Sequence, residues 1–159
     1  MITEMDRAWL AGIWDGEGSI ALFRNEEKNG SVKIKPVVNF VNTDIGIINE
    51  ALRILHEADC SVYIVNRNQS TKNSKHRDVI EVRCSTIVGI KKILELISPY
   101  LRGDKKHKAE ILLRYCARRE QKFLQGDRSY DADDFNDLSE IRSSQTTREK
   151  PAFDSQIWL

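Results

Sequence analysis

The chain has 159 residues, with 25 Lys+Arg against 24 Asp+Glu and a net charge of +1. That length suits one domain with a sizeable core. It contains no run of about 18 apolar residues, so no membrane span is expected, and no basic-then-apolar leader, so an intracellular protein is expected.

Thr3 and Asp6 form a capping pair that starts the first helix. Within it, Leu10, Ile13 and Trp14 share an apolar side. Ala8, Ala11, Gly12 and Asp15 recur at i, i+3, i+4 and i+7 and make a side with nothing larger than an aspartate. The helix runs into an acidic turn in which Glu17 stands between two glycines. From Ser19 the period becomes alternating, and Lys28-Asn29-Gly30 divides residues 19–27 from 31–43 as a hairpin. Ile34, Pro36, Val38 and Phe40 point one way; Lys33, Lys35, Val37 and Asn39 point the other. Pro36 predicts an edge position or a bulge.

Asn42-Thr43-Asp44 offers a cap for a second helix carrying Ile48, Ala51, Leu52 and Leu55. Two strand-like runs follow, near 61–68 and 77–85, joined by a polar loop from Gln69 to Lys75. A third helix presents Ile90, Ile93, Leu94 and Ile97 and stops at Ser98-Pro99. A fourth starts near Asp104 and carries Ala109, Leu112, Leu113 and Cys116. Ser129 or Asp131 caps a last helix with Phe135, Leu138 and Ile141. Ser143 to Thr147 reads as a linker, and Ile157-Trp158-Leu159 as an apolar end. The order is αββαββα(α), an α+β domain with helices on one face of a four-stranded antiparallel sheet. Residues 1–126 form the domain, and 127–159 an acidic C-terminal helix and tail.

The near-zero net charge conceals an asymmetry. Residues 1–126 hold 21 Lys+Arg against 16 Asp+Glu, while 127–159 hold 4 against 8. An acidic tail therefore masks a basic body. Cys60, Cys84 and Cys116 are odd in number and contain no CxxC pair, and His56, His76 and His107 have no ligand spacing, so zinc and disulfide frameworks are not expected. Cys84 and Cys116 read as buried thiols.

A side of Ala and Gly lets a second helix approach backbone to backbone. A second copy packed there brings two Glu17 carboxylates together, and two like charges at short range need cations between them. The residues alone thus read as a dimer with a divalent-metal site at its seam. Residues 10–18, Leu-Ala-Gly-Ile-Trp-Asp-Gly-Glu-Gly, resemble the motif of the LAGLIDADG homing endonucleases. Five of nine positions are identical (Leu10, Ala11, Gly12, Asp15, Gly18), and Glu17 replaces the usual second aspartate. The resemblance, covering roughly residues 3–123, implies a site-specific double-strand DNA endonuclease of the single-motif, homodimeric type. It also implies a saddle-shaped sheet that reads a long site, and short 3′ overhangs.

Helices cover one side of the sheet and leave the other free. Phe23 and Asn25 on the first strand, Lys33, Lys35 and Asn39 on the second, Tyr63 and Arg67 on the third, and Glu81 and Arg83 on the fourth fall on that free side. Arg, Lys and Asn match base edges in a major groove, and Lys72, Lys75 and Arg77 suit phosphates. Any one of these is as readily a solvated side chain; the set is read as DNA-binding. Two subunits of strands this long cover about 20 base pairs of an approximately palindromic site.

Hydrolysis of a phosphodiester needs an activated water and charge stabilisation, which oxygen-ligated Mg²⁺ supplies. Glu17 is the candidate ligand, with the Gly16 carbonyl. Mn²⁺ is an alternative, and Ca²⁺ is expected to bind without supporting cleavage. By the resemblance, Asp44 falls where a polar residue orders water, although it serves equally as a helix cap. Lys105, or Lys106 if the register slips, falls where a lysine approaches the site. Ala8, Ala11, Gly12 and Asp15 are the expected dimer interface. The alternative function on the same fold is an RNA intron maturase or a non-cutting DNA binder, for which Arg114, Arg118, Arg119 and Lys122 offer a second basic surface. A glycosidase using Asp15 and Glu17 is disfavoured, because neighbours at i and i+2 do not flank one substrate.

Overall fold

The computed structural model describes residues 1–67 and 78–144. Among them the order is α1 (Glu4–Glu17), β1 (Gly18–Glu26), β2 (Val32–Asn42), α2 (Ile45–Glu57), β3 (Tyr63–Arg67), β4 (Val79–Cys84), α3 (Ile87–Ile97), α4 (Gly103–Leu124) and α5 (Ala132–Ser143). The architecture is the expected α+β arrangement, with one antiparallel sheet ordered β1-β2-β4-β3. Each helix starts where its sequence offers a cap, except α4. Thr3 and Asp6 form a capping box, Asp44 accepts from the amides of Gly46 and Ile47, Thr86 accepts from Gly89, and Asp131 and Asp134 form a second box.

β2 is an inner strand rather than an edge, in register with β1 from Gly18↔Phe40 to Glu26↔Val32. Its ladder with β4 runs only from Val38 to Asn42. Pro36 lies before that ladder begins, so its missing N–H withdraws nothing from the β4 pairing, and no bulge is needed. The loop expected between β3 and β4 lies outside the described residues, as does the apolar end at 157–159.

The core is one cluster that joins Leu10, Ala11 and Trp14 of α1 to Phe40 of β2, Ile48 and Leu55 of α2, Ile90 and Leu94 of α3, and Leu112 and Cys116 of α4. Trp14 meets Phe40 edge to face at 4.8 Å between ring centroids, the geometry their quadrupoles favour. All three cysteines are buried and free. Burial pushes the Cys116 thiol up to about 12, which makes it inert.

The described part of the acidic segment, residues 127–144, is tied to the body of the domain. α5 packs on α4, with Leu138 and Ile141 buried in the common core. Phe135, expected inside, is exposed, and Asp134 and Asp137 are buried instead. They are buried because α4 opposes them with cations. Arg118 reaches Asp134 at 3.0 Å and Asp137 at 2.5 Å, Arg119 reaches Asp134 at 3.3 Å, and Lys122 reaches Asp131 at 2.6 Å. Arg114 bridges Asp137 and Glu140. Arg119 is itself buried, with its guanidinium 4.9 Å from the Phe123 ring and 4.4 Å from that of Tyr130. The four residues read above as a second basic surface are therefore consumed in ion pairs. Periodicity misplaced Phe135 because it counts apolar residues and does not register a charge whose partner lies on another helix.

Breaking a buried pair by removing one partner leaves an uncompensated charge. Asp134→Asn is expected to cost about 3 kcal/mol of stability in urea unfolding. Its neighbour Lys122 holds the Asp131 carboxyl down at about 2, below its ordinary 3.8. A depressed carboxylate stabilises the fold above the unfolded value, and that contribution is lost as pH falls from about 4 through about 2. Thermal melts across that window are expected to show the loss in the wild type and a shallower acid limb in Asp131→Asn.

Candidate functional site

α1 runs directly into β1, with no separate turn. Gly18 makes this possible. Its amide donates to the Trp14 carbonyl, and a Cβ there would stand 2.5 Å from Trp14 Cδ1 and 2.6 Å from the Trp14 carbonyl oxygen. Only a residue without a side chain passes that point. Glu17 is consequently the last residue of the helix, exposed, at the end where the helix dipole is negative.

α4 closes on the same end. The Lys105 ammonium donates to the carbonyls of Trp14 at 2.7 Å and Asp15 at 2.5 Å, and the Arg102 amide donates to the Asp15 carboxylate at 3.0 Å. Burial pulls the Lys105 ammonium below its ordinary value, while the charges of Asp15 and Glu17 oppose that shift. Lys105, and not the exposed Lys106, is thus the lysine that meets this helix end. Asp44 sits at the same end of the β1–β2 pair, two residues beyond β2, because Gly18 pairs with Phe40. One of its carboxylate oxygens caps α2, 2.8 Å from the Gly46 amide; capping and an outward-facing second oxygen are compatible.

The exposed flank of α1 differs from expectation at one residue. Ala11 is fully buried in the chain's own core and so cannot form the outer surface. Ala8 and Gly12 are exposed, Asp15 is half-buried, and Met5, Trp9 and Gly16 extend the same outward stripe. Gly12 and Gly16 have open space above them. Met5 and Trp9 were missed because a search for small residues passes over large ones, although exposed large apolar groups on a helix next to an acid are themselves an interface signal. Among the described residues, no group of three or more His, Cys, Asp or Glu side chains can hold a metal ion.

The free face of the sheet follows the register. Asn25 opposes Lys33, Phe23 opposes Lys35, Asn39 opposes Arg83, and Arg83 opposes Tyr63. Pairing thus brings every expected strand residue onto one face. Phe23, Asn25, Lys35, Tyr63 and Arg83 line a single open depression of about 600 Å³. Lys33 is engaged with Glu27 at 2.5 Å, which raises its pKa. Glu81 departs from expectation. It lies on this face but is 1% exposed, because Asn39 and Arg67 close over it. Lys72, Lys75 and Arg77 lie outside the described residues.

Residues 4–98 match the LAGLIDADG-like domain. No curated protein matches the chain by sequence. Among solved structures, the homing endonuclease I-CvuI, in complex with the I-CreI target in the presence of magnesium, is 18% identical, with a TM-score of 0.63, over 92% of this chain and 85% of that one. The group I intron-encoded homing endonuclease I-CeuI, complexed with DNA, is 14% identical, with a TM-score of 0.65, over 89% and 68%. The meganuclease I-SmaMI, bound to uncleavable DNA, is 16% identical, with a TM-score of 0.61, over 93% of this chain but 45% of that one.

The packing at the helix–strand junction separates the glycines. Gly18→Ala must displace backbone and is expected to cost about 3 kcal/mol, the upper end for overpacking. Gly16→Ala enters open space and is expected to change stability by no more than about 1 kcal/mol. Urea unfolding of the two variants side by side checks this; equal losses would overturn the packing argument.

Proposed function

The chain belongs to the LAGLIDADG family, and from that membership we propose that it is a homodimeric, metal-dependent, site-specific double-strand DNA endonuclease. The observation that carries the reading is the exposed Glu17 at the end of a helix that Lys105 secures through the Trp14 and Asp15 carbonyls, that Gly18 lets pass straight into β1, and whose outer flank is open. In this reading the Glu17 carboxylate and the Gly16 carbonyl of one chain would supply part of a cation's oxygen donor set, which by themselves they do not complete. A second copy, packed flank to flank through Ala8, Gly12 and Asp15 with Met5 and Trp9, supplies the matching part. Matching 85% of I-CvuI but 45% of I-SmaMI supports a chain that carries one half of a two-fold site.

The donors are hard oxygens, which suit Mg²⁺ or Mn²⁺ and also accept Ca²⁺. When bound, such an ion offsets charge on the scissile phosphate and makes water acidic enough to attack near neutral pH. Glu17 and the Gly16 carbonyl would hold it. The Lys105 ammonium, partly buried and next to both acids, offers positive charge to the phosphate oxygens. The outer oxygen of Asp44 orders water. On the sheet, Asn25, Lys35, Asn39, Arg67 and Arg83 contact base edges, and the depression accommodates the apolar contacts of Phe23 and Tyr63. β2, with 11 residues, is about 37 Å long at strand rise, so two subunits cover about 20 base pairs. Cleavage at the two-fold axis then leaves short 3′ overhangs. A maturase reading loses support, because the cations of α4 that it relied on are paired with α5.

Two measurements test the reading. A randomised duplex library incubated with Mg²⁺ is expected to yield a cleaved, roughly palindromic consensus with the wild type. Glu17→Gln is expected to bind that consensus in Ca²⁺ and to cut at least about a thousandfold more slowly; equal cutting would remove the assignment of Glu17. Sedimentation is expected to give about twice the 18.3 kDa chain mass for the wild type. Gly12→Arg, which the free chain has room for, is expected to sediment as a folded monomer that no longer cuts both strands.

A further inference from the structure

Among the described residues, Glu81 is the one acid placed centrally on a face otherwise read as a partner for a polyanion. By register it lies between Val41 on β2 and Val65 on β3. Its carboxylate reaches diagonally to both sides. Oε1 accepts from Asn39 Nδ2 at 2.6 Å; Oε2 accepts from Arg67 Nε at 2.7 Å and lies 2.6 Å from its terminal nitrogen. Glu81 is 1% exposed, whereas the Arg67 side chain is 56% exposed. Both oxygens are thus occupied and covered, and neither faces a ligand.

The consequence falls on the two partners. Tying Nδ2 of Asn39 to Glu81 fixes the orientation of its amide and leaves Oδ1 and one N–H uncommitted by that bond. That acceptor and donor side by side match adenine N7 and N6. Tying one edge of the Arg67 guanidinium fixes its plane and leaves the remaining N–H groups for the O6 and N7 of guanine. An acid here weakens the unspecific attraction of phosphate, but it removes rotamer freedom that two long polar side chains would otherwise lose on binding.

We propose that Glu81 is a positioning residue for sequence reading: through Asn39 and Arg67 it presets one adenine-selecting and one guanine-selecting contact while suppressing binding to unrelated duplex. This rests on the DNA-reading function proposed above.

The test is selection from a randomised duplex library, with affinity for random duplex measured across salt concentrations. Relative to wild type, Glu81→Gln is expected to lose about tenfold of its preference at two purine positions. Its affinity for random duplex is expected to rise severalfold, with a steeper salt dependence. Arg67→Lys keeps the ion pair but not the planar fork. It is expected to relax only the guanine position and leave the adenine preference in place; Glu81→Asp, which keeps the charge but is one methylene short of Asn39 and Arg67, is expected to relax both positions and decides the matter if Glu81→Gln does not fold. A wild type that selects a sequence which Glu81→Gln or Glu81→Asp selects unchanged overturns the role of Glu81 alone. A folded wild type that selects no sequence overturns the DNA-reading function, and this inference with it.

Discussion

The close seating of Gly18 on Trp14 is the constraint from which the rest of the site follows. With no side chain at that point, the helix passes into the first strand without a loop, and the acid at its end acquires a fixed place relative to the sheet. Lys105 and Arg102 then secure the same end from α4 by binding the last helix carbonyls and the Asp15 carboxylate. Main-chain carbonyls at a helix C-terminus need donors, and an ammonium meets that need while bringing positive charge within reach of Glu17. One set of hydrogen bonds therefore completes the helix and composes the electrostatics of the site.

Charge is partitioned between the two sides of the domain. On the helical side, the acids of α5 face the bases of α4 and cancel them, partly in the buried core. On the sheet side, Lys35 and Arg83 have no such counter-helix, and Glu81 ties up only Arg67. The bases of the last turns of α4 are thus paired within the chain, while Lys35 and Arg83 on the sheet are not matched by an opposing helix.

Much of this was legible in the residues. Thr3 with Asp6, and Asp44, announced their helices, because capping is a local interaction between residues two or three apart. The alternation of Lys33, Ile34, Lys35 and Pro36 announced a strand with two unlike faces. The acidic end of the motif was visible because glycine and carboxylate there interrupt an apolar helix. Less legible were Ala11, Phe135 and Glu81, whose roles are set by partners distant in the chain. A small residue on a helix reads the same whether it faces a second subunit or its own core. An acid on a strand reads the same whether it meets solvent or is sealed beneath an arginine.

By itself the sequence determined the element order, the fold class, the family and the acid at the helix end, since each depends on periodicity, capping or contiguous residues. Only the tertiary structure decided that Lys105 rather than Lys106 meets that helix end, that acids between residues 131 and 140 pair with Arg114, Arg118, Arg119 and Lys122 of α4, and that Glu81 is buried between Asn39 and Arg67. Each of these pairs a charge with a group on another element, and the energy of such a pair depends on distance and burial, which no local pattern records.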